Sequence, residues 1–324
     1  MTDIAMIEAA RARLDGRARR TPLLSSPFLD EIAGRRIFVK PECLQHTGSF
    51  KFRGAWSAIS ALAPDVRARG VIAFSSGNHA QGVALAARMH GIPAVIIMPN
   101  DAPKLKIENT RAYGAEVVLY DRVKEDRDEI GARLSRERNL TLVKPFDDPL
   151  VIAGQGTVGL EIAEQAQELG IEKADVLAPA SGGGLLSGIA LALEAKAPGF
   201  VAHSCEPEGF DDLARSLVSG KIERNASLTG SLCDAILSPQ PGDITFPIMK
   251  RLCGPGLVVS EDEALKAMAL AFSRLKIVVE PGGAVALAAA LFHGDTLGET
   301  VIAVCSGGNV DEDIFRTALE RHGN

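Results

Sequence analysis

Several features are missing from this chain of 324 residues, and each gap removes a class of protein. No apolar run approaches the roughly 18 residues that a membrane-crossing helix requires. The opening Met1-Thr2-Asp3 lacks the basic and then apolar order of a secretory leader. No basic stripe exists: 35 Lys and Arg stand against 41 Asp and Glu, a net charge of −6, which argues against a nucleic-acid partner. The basic cluster Arg11, Arg13, Arg17, Arg19 and Arg20 is interrupted by Glu8 and Asp15 and reads as a solvated helix face. The five cysteines (43, 205, 233, 253 and 305) are odd in number, scattered and without a C-x-x-C pair, which fits reduced thiols and gives no support to a zinc site. No fixed-period repeat or low-complexity segment is present. The expectation is a soluble, cytoplasmic protein with a small-molecule substrate, no membrane and no regulatory extension after Asn324.

What is there begins with bulk. Apolar residues make up 46% of the chain and charged ones 23%, enough for a substantial core. The length exceeds the usual single domain, so two domains are expected. Apolar strands alternate with helical patterns, the signature of βαβ units and parallel sheets. Strands are expected over 71–75, 94–98 and 116–120, then over 176–179, 201–205, 257–259 and 300–305. Ser260-Glu261-Asp262-Glu263 reads as a capping box opening a helix to about residue 275. Pro145-Phe146-Asp147-Asp148-Pro149 is the clearest break, and a domain crossing is expected there.

The chemistry concentrates in short motifs. In Thr47-Gly48-Ser49-Phe50-Lys51-Phe52-Arg53, one lysine stands between two aromatics just after a glycine turn, at the expected start of a helix. Burial and the nearby Arg53 would both lower its pKa and supply the neutral amine that a Schiff base needs. Ser75-Ser76-Gly77-Asn78-His79 joins a strand to a helix, so free N–H groups and hydroxyls meet where an amino-acid carboxylate could bind. Two glycine-rich stretches compete for a phosphate. Gly154-Gln155-Gly156-Thr157-Val158-Gly159 is a literal G-x-G-x-x-G, yet only residues 150–153 precede it, and Asp175 falls before the next strand rather than after it. Ser181-Gly182-Gly183-Gly184 follows a strand and opens a helix at Leu185, so several backbone N–H groups can converge on one phosphate. Ser306 lies just past the strand 300–305, at the carboxyl edge where open α/β sheets bind ligands. Glu206 and Asp212, two acids six apart in a loop, read on their own as solvated carboxylates, although oxygen ligands of this type also suit Mg²⁺, Ca²⁺ or Mn²⁺.

Taken together, the Lys51, Ser75–His79, Ser181–Leu185 and Ser306-Gly307-Gly308-Asn309 motifs closely resemble the serine/threonine dehydratase and serine racemase family, from about Thr21 to about Asp311. These are fold-type II enzymes dependent on pyridoxal phosphate (PLP), related in fold to the tryptophan synthase β chain. The resemblance implies two open parallel-sheet α/β domains with the cofactor between them: residues 1–47 plus 148–324 as the large domain and 48–147 as the small one. It implies that Lys51 carries the cofactor as a Schiff base beside Phe50 and then removes the α-proton. Asn78 would contact the cofactor's 3′-oxygen, and Ser181, Gly182, Gly183, Gly184 and Leu185 its phosphate, with the part of Ser181 left open. Ser306 would face the pyridine nitrogen. Ser75, Ser76, Gly77 and His79 would surround the substrate carboxylate. Glu206, Asp212 and the carbonyl of Phe210 would form a divalent-cation site, and the protein would be a homodimer.

The implied reaction takes a β-hydroxy amino acid, L-threonine or L-serine, to a 2-oxo acid and ammonia. A 3-hydroxyaspartate dehydratase is an alternative; its substrate's second carboxylate calls for an extra cation, with His46, Lys104 and Arg127 as candidates. Serine racemase is another, because Ser76 matches the hydroxyl that serves the opposite face. A non-catalytic binder of PLP or amino acids and an NAD-dependent oxidoreductase are the rivals from other classes.

Overall fold

Runs of consecutive apolar residues suit strands covered on both faces, and this chain uses them so. The computed structural model describes every residue except Met1, Ser76, Pro103, Arg122, Val123, Leu228 and Asn324, and only the backbone of Leu105 and Asp128. Among the described residues the strands are β1 (Leu24–Ser25), β2 (Arg36–Pro41), β3 (Val71–Phe74), β4 (Ala94–Pro99), β5 (Glu116–Tyr120), β6 (Thr141–Leu142), β7 (Ala174–Pro179), β8 (Phe200–Pro207), β9 (Leu257–Val259) and β10 (Thr300–Cys305).

They form two sheets. One is parallel throughout, in the order β5-β4-β3-β6, and is drawn from residues 71 to 142. The other runs β1-β2-β10-β7-β8-β9 and collects strands from both flanks of that segment, with only β1 antiparallel. This is the doubly parallel α/β architecture expected. All six residues of β4 and all but the first of β10 are buried. The helix Lys51–Ser60 lays Phe52, Ala55 and Ile59 into the core of the smaller sheet, with Val71, Ala73 and Ile96. The helix Pro281–Phe292 is buried along almost its whole length against the larger one.

Two stretches take a form that the sequence did not indicate. The stretch around the G-x-G-x-x-G pattern is neither strand nor ligand loop but the interior of one 20-residue helix, Pro149–Glu168. It starts as helices do, with the Asp148 carboxylate accepting from Leu150 N and Val151 N at 2.8 and 3.1 Å and proline at the first position. Its glycines serve helix packing: a Cβ on Gly154 would lie 2.4 Å from the Arg53 carbonyl oxygen, and one on Gly156 2.9 Å from that of Gly188. A dinucleotide has no access there. The turn-rich stretch after β8 also holds two helices, Asp212–Ser219 and Thr245–Leu252, so Asp212 opens a helix instead of sitting in a loop.

The capping box is present, with Ser260 N donating to Glu263 Oε2 at 2.8 Å and Glu263 N to Ser260 Oγ at 3.3 Å. Its helix ends at Leu270 in a π turn, Ala271–Leu275. Among the described residues, no helix is long and apolar enough to cross a membrane.

Candidate active site

Lys51 is placed by a strap. Thr47 and Gly48 both adopt left-handed backbone, φ 59° and 70°, and turn the chain into the helix Lys51–Ser60. The strap is tied to the exit of β10: Phe50 N donates to the Ser306 carbonyl at 3.1 Å and Gly308 N to that of Gly48 at 2.9 Å. Lys51 Nζ donates to the Pro145 carbonyl at 2.8 Å and stands 5.1 Å from the centre of the Phe50 ring. Burial pushes its pKa down to about 8. The expected help from Arg53 is absent. One helical step turns Arg53 away, where it chelates Glu42 and Glu161 at 2.6–2.9 Å, so burial alone depresses Lys51. Phe52, the second flanking aromatic, is likewise in the core against His46 and Trp56.

The exits of β3, β7 and β10 meet Lys51 around a cavity of about 220 Å³. After β3, Ser75 Oγ accepts from Gly77 N at 3.1 Å, and the helix Asn78–His90 begins. Ser76 lies outside the described residues. Gly77 lines the cavity, as do Ser75, Asn78 and His79. The Asn78 amide is fixed at both ends: Nδ2 donates to Glu280 Oε1 at 2.6 Å, and Oδ1 accepts from Asn309 Nδ2 at 2.7 Å. That leaves one Nδ2 proton for a ligand. His79 Nε2 donates to the Val143 carbonyl at 2.9 Å, and burial together with the Lys51 charge pushes the ring down to about 3. At neutral pH the ring is therefore uncharged.

After β7 comes Ser181-Gly182-Gly183-Gly184, and then Leu185 in the first turn of the helix Gly184–Lys196, whose leading N–H groups have no partner inside the helix. Gly183 is left-handed, φ 88°. Side chains at 182 or 184 would strike the Phe146 ring or the Gln155 amide, each within 2.5 Å. Ser181 Oγ accepts from Ser238 N at 2.8 Å, which leaves its own proton to donate. Ser306, past β10, is 5% exposed and lines the same cavity.

Two residues of the cavity wall, Gln155 and Lys106, and one buried neighbour of Asn78 escaped the sequence. Glu280 is buried beside Asn78, pushed up to about 7 by burial, with Oε2 unpartnered. Its signal was a lone carboxylate in the apolar stretch 277–291. Gln155 was hidden by the misleading glycine pattern around it. Lys106 reaches the wall and pairs with Asp234 at 2.7 Å; burial opposes its charge, but Asp234 more than restores it. Of the cations considered for a second carboxylate, Arg127 lines the cavity, His46 packs on Phe52, and Lys104 is exposed and apart from it.

Glu206 and Asp212 lie elsewhere, at the end of β8. Glu206 accepts from Leu213 N and Ala214 N at 2.9 and 2.8 Å, and burial plus the Asp212 charge raise its pKa well above the carboxylate range. Burial pushes Asp212 up to about 6; Oδ1 accepts from Asn225 Nδ2 at 2.6 Å, while Oδ2 is buried without a partner. Phe210, between them in sequence, is buried. Among the described residues, no cluster of three or more His, Cys, Asp or Glu could hold a metal, so a cation here would need carbonyl or water oxygens as well.

Comparison with known proteins places this geometry. A family model described as pyridoxal-phosphate dependent enzyme matches residues 14–307. The L-threo-3-hydroxyaspartate ammonia-lyase of Pseudomonas sp is 42% identical over 316 residues, spanning 97% of each chain. Among solved structures, a threonine deaminase of T.th. superposes with a TM-score of 0.90 at 46% identity, covering 95% of this chain and 99% of that one. Maize serine racemase superposes with a TM-score of 0.92 at 38% identity, covering 99% and 98%.

Proposed function

Because the chain belongs to the pyridoxal-phosphate-dependent enzyme family, alongside ammonia-lyases and serine racemases, we propose that it is an ammonia-lyase of β-hydroxy amino acids, yielding a 2-oxo acid and ammonia. The observation that carries this reading is the convergence of Lys51, Asn78, the Ser181–Leu185 turn and Ser306 on one cavity. The residues fit the cofactor: an amine with a pKa near 8, an N–H-rich glycine turn at a helix start, and an amide with one proton to spare. When bound, PLP supplies an electron sink for bond breaking at the substrate's α-carbon.

Lys51 would be the covalent attachment point for the cofactor and, as a free amine, the base for the α-proton. Its low pKa keeps a useful fraction unprotonated near neutrality. Phe50 packs beside it. The glycine turn and the Ser181 hydroxyl hold the phosphate, Asn78 the 3′-oxygen, and Ser306 offers the ring nitrogen a neutral partner, which withdraws less charge than a carboxylate would. Ser75, Ser76, Gly77 and a neutral His79 receive the substrate carboxylate through hydrogen bonds. The site lies between a small domain, 48–147, and a large one, 1–47 plus 148–324. That division is supported by the separate provenance of the two sheets.

Glu206, Asp212 and the Phe210 carbonyl hold a divalent cation, a reading supported by the orphaned Asp212 oxygen and by two mutually repelling carboxylates. The protein works as a homodimer; the exposed Phe28, Ile32 and Phe272, on neighbouring elements, support this. Five unpaired thiols support a cytoplasmic location.

L-threonine and L-serine are the first substrates to try. A second reading, 3-hydroxyaspartate, is favoured by Lys106 and Arg127 in the wall, cations that a threonine methyl group does not need. Purified protein should be offered threonine, serine and each 3-hydroxyaspartate isomer, with the keto acid identified and D-serine assayed in parallel. Pyruvate or 2-oxobutyrate supports the first reading and oxaloacetate the second. D-serine in excess of keto acid would make the protein a racemase, and no keto acid from any of them would defeat the proposal.

A further inference from the structure

Gln155 stands in the first half of the helix Pro149–Glu168, 1% exposed, with its amide in the cavity wall. It fills the gap between the helix that begins at Lys51 and the helix that follows the glycine turn. A methyl group added at Gly54 would lie 3.0 Å from Nε2, and one added at Gly184 would lie 2.5 Å from Oε1. Nε2 reaches the Pro145 carbonyl only at 3.4 Å, and that carbonyl already accepts from Lys51 Nζ at 2.8 Å. Oε1 is buried with no hydrogen-bond partner. A buried oxygen left unpaired is costly, so a group that satisfies this amide is missing from the picture.

The amide's surroundings say what that group is. Oε1, an acceptor, points at the start of a 13-residue helix, where partial positive charge favours an anion. Half a turn about the terminal torsion exchanges the two ends without changing the shape of the side chain. The NH₂ then points toward Gly182–Leu185, and the oxygen takes the place near the Pro145 carbonyl, which the Lys51 amine also reaches. Both ends acquire partners if an anion occupies the glycine turn.

We propose that Gln155 is a cofactor-binding residue, its amide donating to the phosphate of PLP while its oxygen accepts from the nitrogen of Lys51. It ties the two ends of the cofactor's seat to one rigid helix. This rests on the reading above, in which the glycine turn takes the phosphate.

The test compares apo-protein titrated with PLP and with unphosphorylated pyridoxal, wild type against Gln155→Met and Gln155→Glu, with the melting temperature of each apo form measured alongside. Gln155→Met keeps the bulk and removes the orphaned oxygen. Its apo form should melt no lower than wild type, while its preference for PLP over pyridoxal falls by about 10- to 100-fold, the scale of one hydrogen bond to a charged group. Gln155→Glu keeps the shape, removes both donors and should lose at least as much of that preference. A preference unchanged in whichever variant folds would overturn the inference and leave the parent reading standing. A wild-type protein that takes up neither compound would defeat the parent reading, and this one with it.

Discussion

Lys51 and Arg53 are two residues apart and share one helix, the first half-buried and the second buried, yet they meet opposite surroundings. Arg53 is 1% exposed and held by two carboxylates in fork geometry, and Lys40 joins the same set through Glu161 at 2.6 Å. Two cations face two anions there. The two carboxylates outweigh burial and raise the Arg53 pKa, and Arg53 in turn outweighs burial to lower that of Glu42. Lys51 has a carbonyl and an aromatic ring but no carboxylate, and burial drags it down. A buried charge whose partners are complete holds structure; one whose partners are incomplete waits for a ligand. The helix start accomplishes both by sending positions two residues apart to opposite sides.

The sharpest way to break that contrast is to delete each cation. Lys51→Ala should abolish the visible absorbance of the PLP-loaded protein and reduce turnover by on the order of 10³-fold or more, as when a reacting group is lost from a set that acts as a unit. Denaturant unfolding of the apo form should change little, because Lys51 contributes one hydrogen bond. A retained band with full turnover would remove Lys51 from the chemistry. Arg53→Ala should do the reverse to stability. It leaves Glu42 without a cation in the interior and Glu161 with Lys40 alone, and should cost about 3–5 kcal/mol. Loss of activity in that variant should follow the folded fraction. A stable, fully folded Arg53→Ala protein would show that the balanced set is not structural.

The same contrast explains what could be read from the chain. The parallel strands were legible because β4 and β10 are apolar at nearly every position, and the capping box because Ser260 and Glu263 sit at fixed spacing before an apolar run. The glycine turn at 181–184 was legible because it falls between a strand and a helix. The helix at 149–168 was hidden: glycine disfavours helices, and Gly154, Gly156 and Gly159 are there for neighbours far along the chain, Arg53 and Gly188 among them. Its start was written plainly in Asp148-Pro149. The direction of Arg53 could not be foreseen, since it depends on Glu161, 108 positions on. Glu280 and Gln155 were missed for a related reason. Their meaning lies in what surrounds them, and a lone polar residue in an apolar stretch gives a position without a partner.

A third buried set carries the comparison to anions. Glu206 and Asp212 resemble Glu42 and Glu161 in burial but have no Arg53 between them, and both are pushed up, Asp212 to about 6. The sign of the consequence follows. With the folded pKa above the unfolded value near 3.9, the native state holds the Asp212 proton longer than the unfolded chain does, so this group lowers stability as pH rises from about 4 to 6. The penalty is fully present at pH 7. A divalent cation would relieve it there and have little to relieve at pH 5. Added Mg²⁺, Ca²⁺ or Mn²⁺ should therefore stabilise the protein at pH 7 by about 2–3 kcal/mol at a hundredfold excess over Kd, and by much less at pH 5. Asp212→Asn should be as stable as or more stable than wild type in chelator at pH 7 and should gain nothing from the cation. If thermal melts show the same shift for that variant, or the same shift at both pH values, the cation binds elsewhere, and the two carboxylates are a strained pair without a ligand.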